Sequence, residues 1–223
     1  MPKKVKKRVK IKIIPVLFFI ISAVLLYFLF NYLVDTKIKN IIIYNNKILT
    51  DQEVIELANI ENYPSFYKTF SKNIKKNLKQ SPYIKEVKVK KKFFNILELY
   101  IYEYIPLFIK DDELVLENNV KVDLINYKAP ILSNLEENEI YKSLIKAMLK
   151  LKESARCNIS QIIYSPNEYD DTRFLLYMDD GNHVYINILK FENLNYYDEI
   201  YPTLNNKKGT LYLDSGNHFE IFK

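Results

Sequence analysis

From Ile13 to Val34 the chain runs for 22 residues without a charged side chain, IIPVLFFIISAVLLYFLFNYLV. As a helix this stretch would be about 33 Å long, enough to cross a hydrocarbon core of about 30 Å. Lipid offers no hydrogen-bond partners, so a single crossing segment must be helical. Pro15 falls in the first turn, where a missing N–H costs little. Tyr32 lies near the far end, where an aromatic residue suits the interface. A cleaved signal peptide is the competing reading. Its apolar core is usually about 7–15 residues long and is followed by small residues at a cleavage site. Here the run is longer, and Asp35-Thr36-Lys37-Ile38 follows it. The segment 13–34 is therefore expected to remain as a single transmembrane anchor.

Charge then sets the orientation. Residues 1–12 carry seven basic side chains (Lys3, Lys4, Lys6, Lys7, Arg8, Lys10 and Lys12) and no acid. Positive flanks stay in the cytoplasm, which puts the remainder outside. Without this tail, 26 basic residues face 27 acidic ones, so the net charge of +6 is no argument for nucleic-acid binding. The remainder is itself divided. Residues 35–105 carry a net +5 and residues 106–223 a net −6, a change of sign that suggests two modules. The single cysteine, Cys157, cannot form an internal disulfide, so packing must hold both together.

In the first module, Ile38–Tyr44 is β-rich and Asn45-Asn46 supplies a turn. Thr50-Asp51-Gln52-Glu53 is a capping box that opens a short helix with Val54, Ile55, Leu57 and Ala58 on its apolar side. A loop at 61–65 precedes a second helix, in which Phe66, Phe70, Ile74 and Leu78 are spaced to share one face, opposite Lys72, Lys75, Lys76 and Lys79. The helix stops before Pro82. Ile84–Lys90 alternates apolar and charged residues, Phe93-Phe94-Asn95 turns, and Ile96–Ile105 returns with Leu97, Leu99 and Ile101 on one side.

The second module continues with strand signals at Leu107–Lys110, Leu114–Glu117 and Val120–Leu124. A helix is expected over 137–152, with Ile140, Leu144, Ile145, Met148 and Leu151 on one face. Further strands are expected at Ile159–Tyr164, Phe174–Met178 and His183–Leu189, then a Tyr-rich helix at about 192–204. A hairpin of Thr210–Leu213 and His218–Phe222 comes last.

The order strand–helix–helix–strand–strand resembles the POTRA domain of the FtsQ/DivIB family of bacterial division proteins. The matching segments are IIIYNNKILTDQEVIELANI (41–60) and NIKKNLKQSPYIKEVKVKKKFFNILELYIYEYIP (73–106). Asn45 replaces the family's usual Gly, and Phe94 stands where Pro is common. Asp180–Ile186 and Gly209–Phe222 resemble the family's following β domain. The expected fold class is α+β. The expected organisation is a basic cytoplasmic tail at 1–12, a transmembrane helix at 13–34, a POTRA domain at 36–105 and an extracytoplasmic β domain at 106–223.

The resemblance implies a non-catalytic scaffold of the divisome at the septal cell membrane. Its implied partners are single-pass division proteins of the FtsL and FtsB/DivIC types, and beyond them the septal peptidoglycan synthases. The hairpin is the expected partner surface: Thr210, Leu211, Tyr212, Leu213, His218, Phe219, Ile221 and Phe222. It would act by β-augmentation, in which open backbone groups pair with a partner strand. A POTRA-bearing translocation component would normally show several POTRA repeats or a barrel.

Chemistry-bearing clusters have plainer explanations. The Gly-Asn-His triplets at 181–183 and 216–218 read as hairpin turns, with no further ligand at metal-site spacing. Asp170-Asp171 and Asp179-Asp180 sit where Asp favours turns. Cys157 has no evident base, and no nucleotide or nucleophile-elbow motif occurs. No catalytic residue, metal, cofactor, nucleic acid or small-molecule substrate is expected, and a membrane-anchored enzyme would need an unrecognised site. The Lys88–Lys92 run reads as a solvated strand face, with anionic polymer as the alternative ligand. The tail suits anionic lipid. A reporter active only outside the membrane should work when fused after Lys223, and activity of a cytoplasm-only reporter there would overturn this orientation.

Overall fold

The computed structural model describes residues 13–124, 127–204 and 207–223. The basic tail lies outside the described residues. The chain divides into two compact units. One runs through Ser81 and includes Glu86–Tyr102; the other comprises Pro82–Lys85 and Glu103–Lys223.

In the first unit the uncharged run forms α1 (Ile13–Val34), with no buried residue, and it is long and apolar enough to cross a membrane. The chain continues through β1 (Asn40–Tyr44), α2 (Asp51–Leu57), α3 (Ser71–Leu78), β2 (Ile84–Lys92) and β3 (Ile96–Glu103). The capping box forms: Thr50 Oγ1 accepts from the Glu53 N–H, and Glu53 Oε2 accepts from the Thr50 N–H at 2.7 Å. These hydrogen bonds from Thr50 hold the Glu53 carboxyl below its ordinary value.

The sheet order is β1-β3-β2, with β1 parallel to β3 and Asn40 opposite Ile96. Leu97, Leu99 and Ile101 are fully buried on one face. The other face carries Tyr44 stacked on Tyr100, with Lys90 over Tyr100 and Lys88 over Tyr102. The buried Val54, Ile74 and Leu78 of α2 and α3 complete the apolar side.

Two expectations fail here. Phe70 is 64% exposed, because residues 65–69 form a separate turn closed by the Thr69 N–H to the Ser65 carbonyl, and α3 begins only at Ser71. Phe66 is buried, but from that turn rather than from a helix face. Val89 is only half-buried, while Val87 is buried.

In the second unit, β4 (Pro106–Lys110), β5 (Glu113–Leu116), β6 (Lys121–Asp123) and β7 (Ile131–Ser133) precede α4 (Glu139–Leu149) and α5 (Glu153–Cys157). Then come β8 (Ile159–Tyr164), β9 (Arg173–Met178), β10 (His183–Asn187), α6 (Tyr197–Ile200), β11 (Gly209–Tyr212) and β12 (His218–Ile221). The nine strands make one sheet in the order β12-β11-β10-β9-β8-β7-β4-β5-β6. Its core gathers Leu144, Ile145 and Met148 of α4 with Phe108, Ile162, Phe174, Phe191 and Leu211. The architecture is α+β.

β7 and α5 are too short to have carried a periodic signal. The Tyr-rich helix is broken: 3₁₀ geometry over Ile188–Tyr196 and Tyr201–Leu204 flanks the four-residue α6. β10 ends at Asn187 rather than Leu189, because the Asn187 side chain accepts from the Lys190 N–H and starts the next turn. Leu78 is fully buried. Replacing it with Ala should cost roughly 2–5 kcal/mol in chemical unfolding, and a loss under about 0.5 kcal/mol would show that its pocket collapses freely.

Candidate functional site at the sheet edge

A β-sheet leaves unpaired backbone donors and acceptors at its outer strands, and these can be sealed or left open. Among the described residues the two outer strands are β6 and β12. β6 has three residues, Lys-Val-Asp. Lys121 is paired with Glu137 at 2.6 Å, and the Asp123 carbonyl accepts from the Tyr83 hydroxyl. β12 is more apolar and lies in HFEIF, with Ile221 53% exposed and Phe222 also exposed.

The ladder geometry identifies the open groups. β12 pairs antiparallel with β11, with Gly209 opposite Ile221, Thr210 opposite Glu220, Leu211 opposite Phe219 and Tyr212 opposite His218. The Phe222 N–H donates inward, to the Lys208 carbonyl. Inward and outward groups alternate along an antiparallel strand, so Glu220 and His218 also point inward. The N–H and C=O groups of Phe219 and Ile221 therefore face away from β11.

The expected hairpin residues separate by role. Leu211 and Leu213 are buried in the core, and Phe219 packs against it. Tyr212 is half-buried in a row of stacked side chains across four strands. The Arg173 guanidinium lies 3.6 Å from the Tyr185 ring centre, Tyr185 stacks on Tyr212 at 5.4 Å, and Tyr212 stacks on His218 at 4.5 Å. Arg173 Nε donates to Asp214 Oδ2 at 2.6 Å, which ties the row to the β11–β12 turn. Phe222 packs on His183, which packs on Tyr177. Thr210 is half-buried opposite Glu220. Burial, and then the Glu220 carboxylate, push the Tyr212 hydroxyl above its ordinary value.

Sequence reading missed Arg173, Tyr185 and Asp214. Alternation places each on a strand face or turn, but only the register shows that they stack.

A buried amide positions the start of β11. Asn182 Nδ2 donates to Asp180 Oδ2 at 3.0 Å and to the Tyr197 hydroxyl at 3.2 Å, and its Oδ1 accepts from the Gly209 N–H at 3.0 Å. Asp180 is thus a structural acceptor. Asp179 pairs with Lys128, and Asp170 accepts from the Thr172 N–H and hydroxyl. Both Gly-Asn-His triplets lie at turns, with Gly181 at φ 85° and Asn217 at φ 54°. Among the described residues no three His, Cys, Asp or Glu side chains converge to hold a metal ion.

Residues 36–104 match the family model for the POTRA domain, FtsQ-type. The chain is 31% identical over 198 residues to the cell division protein DivIB of Bacillus anthracis, covering 85% of this chain and 74% of that protein. The chain belongs to the DivIB family of cell division proteins. The DivIB of Bacillus subtilis is 28% identical over 222 residues, covering 91% of this chain and 83% of its own. The DivIB of Bacillus cytotoxicus is 31% identical over 165 residues, and the matched region spans 64% of that relative's length. Phe94 holds φ at 63°, a value that Pro, locked near −65°, cannot adopt.

Gly209 is where β12 can be dislodged. A Cβ there would lie 2.0 Å from the Glu220 carbonyl oxygen and 2.7 Å from the Phe219 ring. Gly209→Ala should cost about 1–3 kcal/mol. It should also raise amide exchange at Glu220 and Phe222 while leaving β8–β9 protected; unchanged exchange at the edge would refute this clash.

Proposed function

We propose that this chain is a membrane-anchored, non-catalytic scaffold of the division machinery. In this reading α1 spans the cell membrane with the basic tail in the cytoplasm, and the POTRA and β domains stand outside at the septum. The open edge of β12 takes up an extended segment of a single-pass division protein of the FtsL or FtsB/DivIC type. It thereby links that partner to the septal peptidoglycan synthases. The observation that carries the reading is the contrast between the two outer strands. One is occupied by charged and tyrosine side chains. The other offers the N–H and C=O of Phe219 and Ile221 beside the exposed Ile221 and Phe222 side chains. Main-chain pairing supplies affinity in such an arrangement, and the flanking apolar side chains supply selectivity. The row from Arg173 to His218 stiffens the strand that receives the partner, lowering the ordering cost of association.

Proline at an outward-facing position tests the pairing directly. Ile221→Pro removes one outward donor and leaves the β11 ladder intact, a position that edge strands tolerate. It should keep a native circular dichroism spectrum and lose co-purification of the partners from membranes, whereas Ile221→Ala should retain most of it. A folded Ile221→Pro variant that recruits partners like the unmodified protein would move docking away from this edge.

A further inference from the structure

Parallel pairing of β1 with β3 has a geometric consequence. β1 starts just after α1, and β3 starts just after the β2–β3 turn, with Asn40 opposite Ile96. The end of the sheet reached from α1 is therefore the end that carries the turn Phe93–Asn95. Lys37 is the third residue after Val34, so their Cα atoms lie at most about 11 Å apart. The Lys37 carbonyl accepts from Asn95 Nδ2 at 3.1 Å, and the Lys39 N–H donates to the Asn95 carbonyl at 3.0 Å. The turn is thus stitched to the first residues beyond the apolar helix. The headgroup layer on each side of a bilayer is about 5–8 Å thick, a comparable length.

At this turn two large apolar side chains stand in the open. Phe93 is 90% exposed and Phe94 is 83% exposed, and Phe94 holds φ at 63°. A bulky residue in the left-handed region is strained, and strain of this kind persists where the surrounding structure enforces it. The partly exposed Tyr67 lies beside them around a shallow depression that Phe66, Lys91 and Lys92 also line. The flanking chain is basic. Residues 36–50 and 87–97 contain no acid, and the hydrogen bonds to Asn95 put Lys37 and Lys39 beside the turn, while Lys92 lies 3.9 Å from Glu98 and Lys90 lies over the Tyr100 ring. Lys91 is turned inward instead, its Nζ donating to the Phe66 carbonyl above the Phe66 ring.

We propose that the Phe93–Phe94 turn is a second membrane contact. Its rings enter the interfacial layer of the bilayer that α1 spans, and the neighbouring lysines meet anionic phospholipid headgroups. The inference rests on α1 being a span. A helix and a turn that grip the same leaflet would hold the POTRA domain to the bilayer at two points rather than one. Aromatic rings at the headgroup level and lysines near an anionic surface each favour that position.

The chain contains no tryptophan, so one introduced residue reports alone. The full-length Phe94→Trp variant, and in parallel Phe93→Trp, would be reconstituted in vesicles of phosphatidylcholine and phosphatidylglycerol, with Tyr169→Trp as an exposed reference in the other unit. Carbonate-resistant association with the vesicles checks the span separately. The expected result is a blue-shifted emission from Phe94→Trp or Phe93→Trp that loses intensity with lipids brominated near the headgroup end of the chain. Tyr169→Trp should show neither change, and the quenching should weaken in pure phosphatidylcholine. Carbonate-resistant protein whose turn tryptophans both emit like Tyr169→Trp would overturn the proposal and leave the span standing. Blue-shifted emission without quenching by brominated lipid would overturn it in favour of a protein covering the turn. Extraction by carbonate would remove the span, and the proposal with it.

Discussion

The constraint on which the rest of this structure depends is the pairing of backbone polar groups where the chain leaves the apolar helix. The last carbonyls of any helix lack intrahelical partners, and here they end a run of 22 residues without a charged side chain. Three of them have partners at or beyond the helix end. The Asn31 carbonyl accepts from the Asp35 N–H at 3.1 Å, the Leu33 carbonyl from the Thr36 N–H and hydroxyl, and the Val34 carbonyl from the Ser65 hydroxyl. The seam then passes directly into the POTRA fold. The Phe66 N–H donates to the Thr36 carbonyl at 2.9 Å, the Ile38 N–H to the Pro64 carbonyl at 3.0 Å, and Lys68 pairs with Asp35 at 2.7 Å. The loop 61–70, which reads as a mere connection, is thus the socket for the helix exit. Breaking α3 away from Phe70 is what frees Ser65 and Phe66 for this task.

The same accounting distinguishes the two outer strands of the second unit. Among the described residues every strand between them has neighbours on both sides, whereas β6 and β12 each have a side whose groups must find partners elsewhere. β6 is three residues long and dressed in charged and tyrosine contacts, the usual way a sheet ends without inviting another. The charged and tyrosine contacts of β12, among the described residues, lie along the strand and toward β11, where Glu220 and His218 meet Tyr212. Its one close ion pair, His218 with Glu220 at 3.6 Å, runs along the strand rather than over its edge. Investment in order lies instead behind it, in the stacked row from Arg173 to His218 and in the Asn182 amide that receives the Gly209 N–H. In the proposed function that support lies beneath the strand that receives the partner.

Much of the fold was legible because it follows from local rules. The uncharged run, the Thr50–Glu53 box, the alternation at Leu97, Leu99 and Ile101, and the segment Ile159–Tyr164 each carry their own physical signal. What failed did so where a tertiary contact outweighed a local pattern. The i, i+4 spacing of Phe66, Phe70, Ile74 and Leu78 is genuine. Pairing of Ser65 with Lys37 and Val34 nonetheless diverts the first part into a turn and leaves Phe70 in solvent. The strand Ile131–Ser133 has three residues and no periodicity to read, yet it bridges β4 and β8 and makes the nine strands one sheet.

The candidate edge illustrates the limit more sharply. Alternation assigns Tyr185, Tyr212 and His218 to a face, but period 2 is silent about which strand lies beside which. β10 and β11 pair in parallel across a connection of more than twenty residues, so no turn signal links them. Hence the residues of the terminal hairpin could be named from the sequence, while Arg173 and Asp214, which hold that hairpin in place, could not. Nor could alternation tell that Leu211 and Leu213 are committed to the core and that the backbone of Phe219 and Ile221 is what remains available. That distinction depends on a single inward hydrogen bond, from the Phe222 N–H to the Lys208 carbonyl, which sets the phase of every other group on the strand.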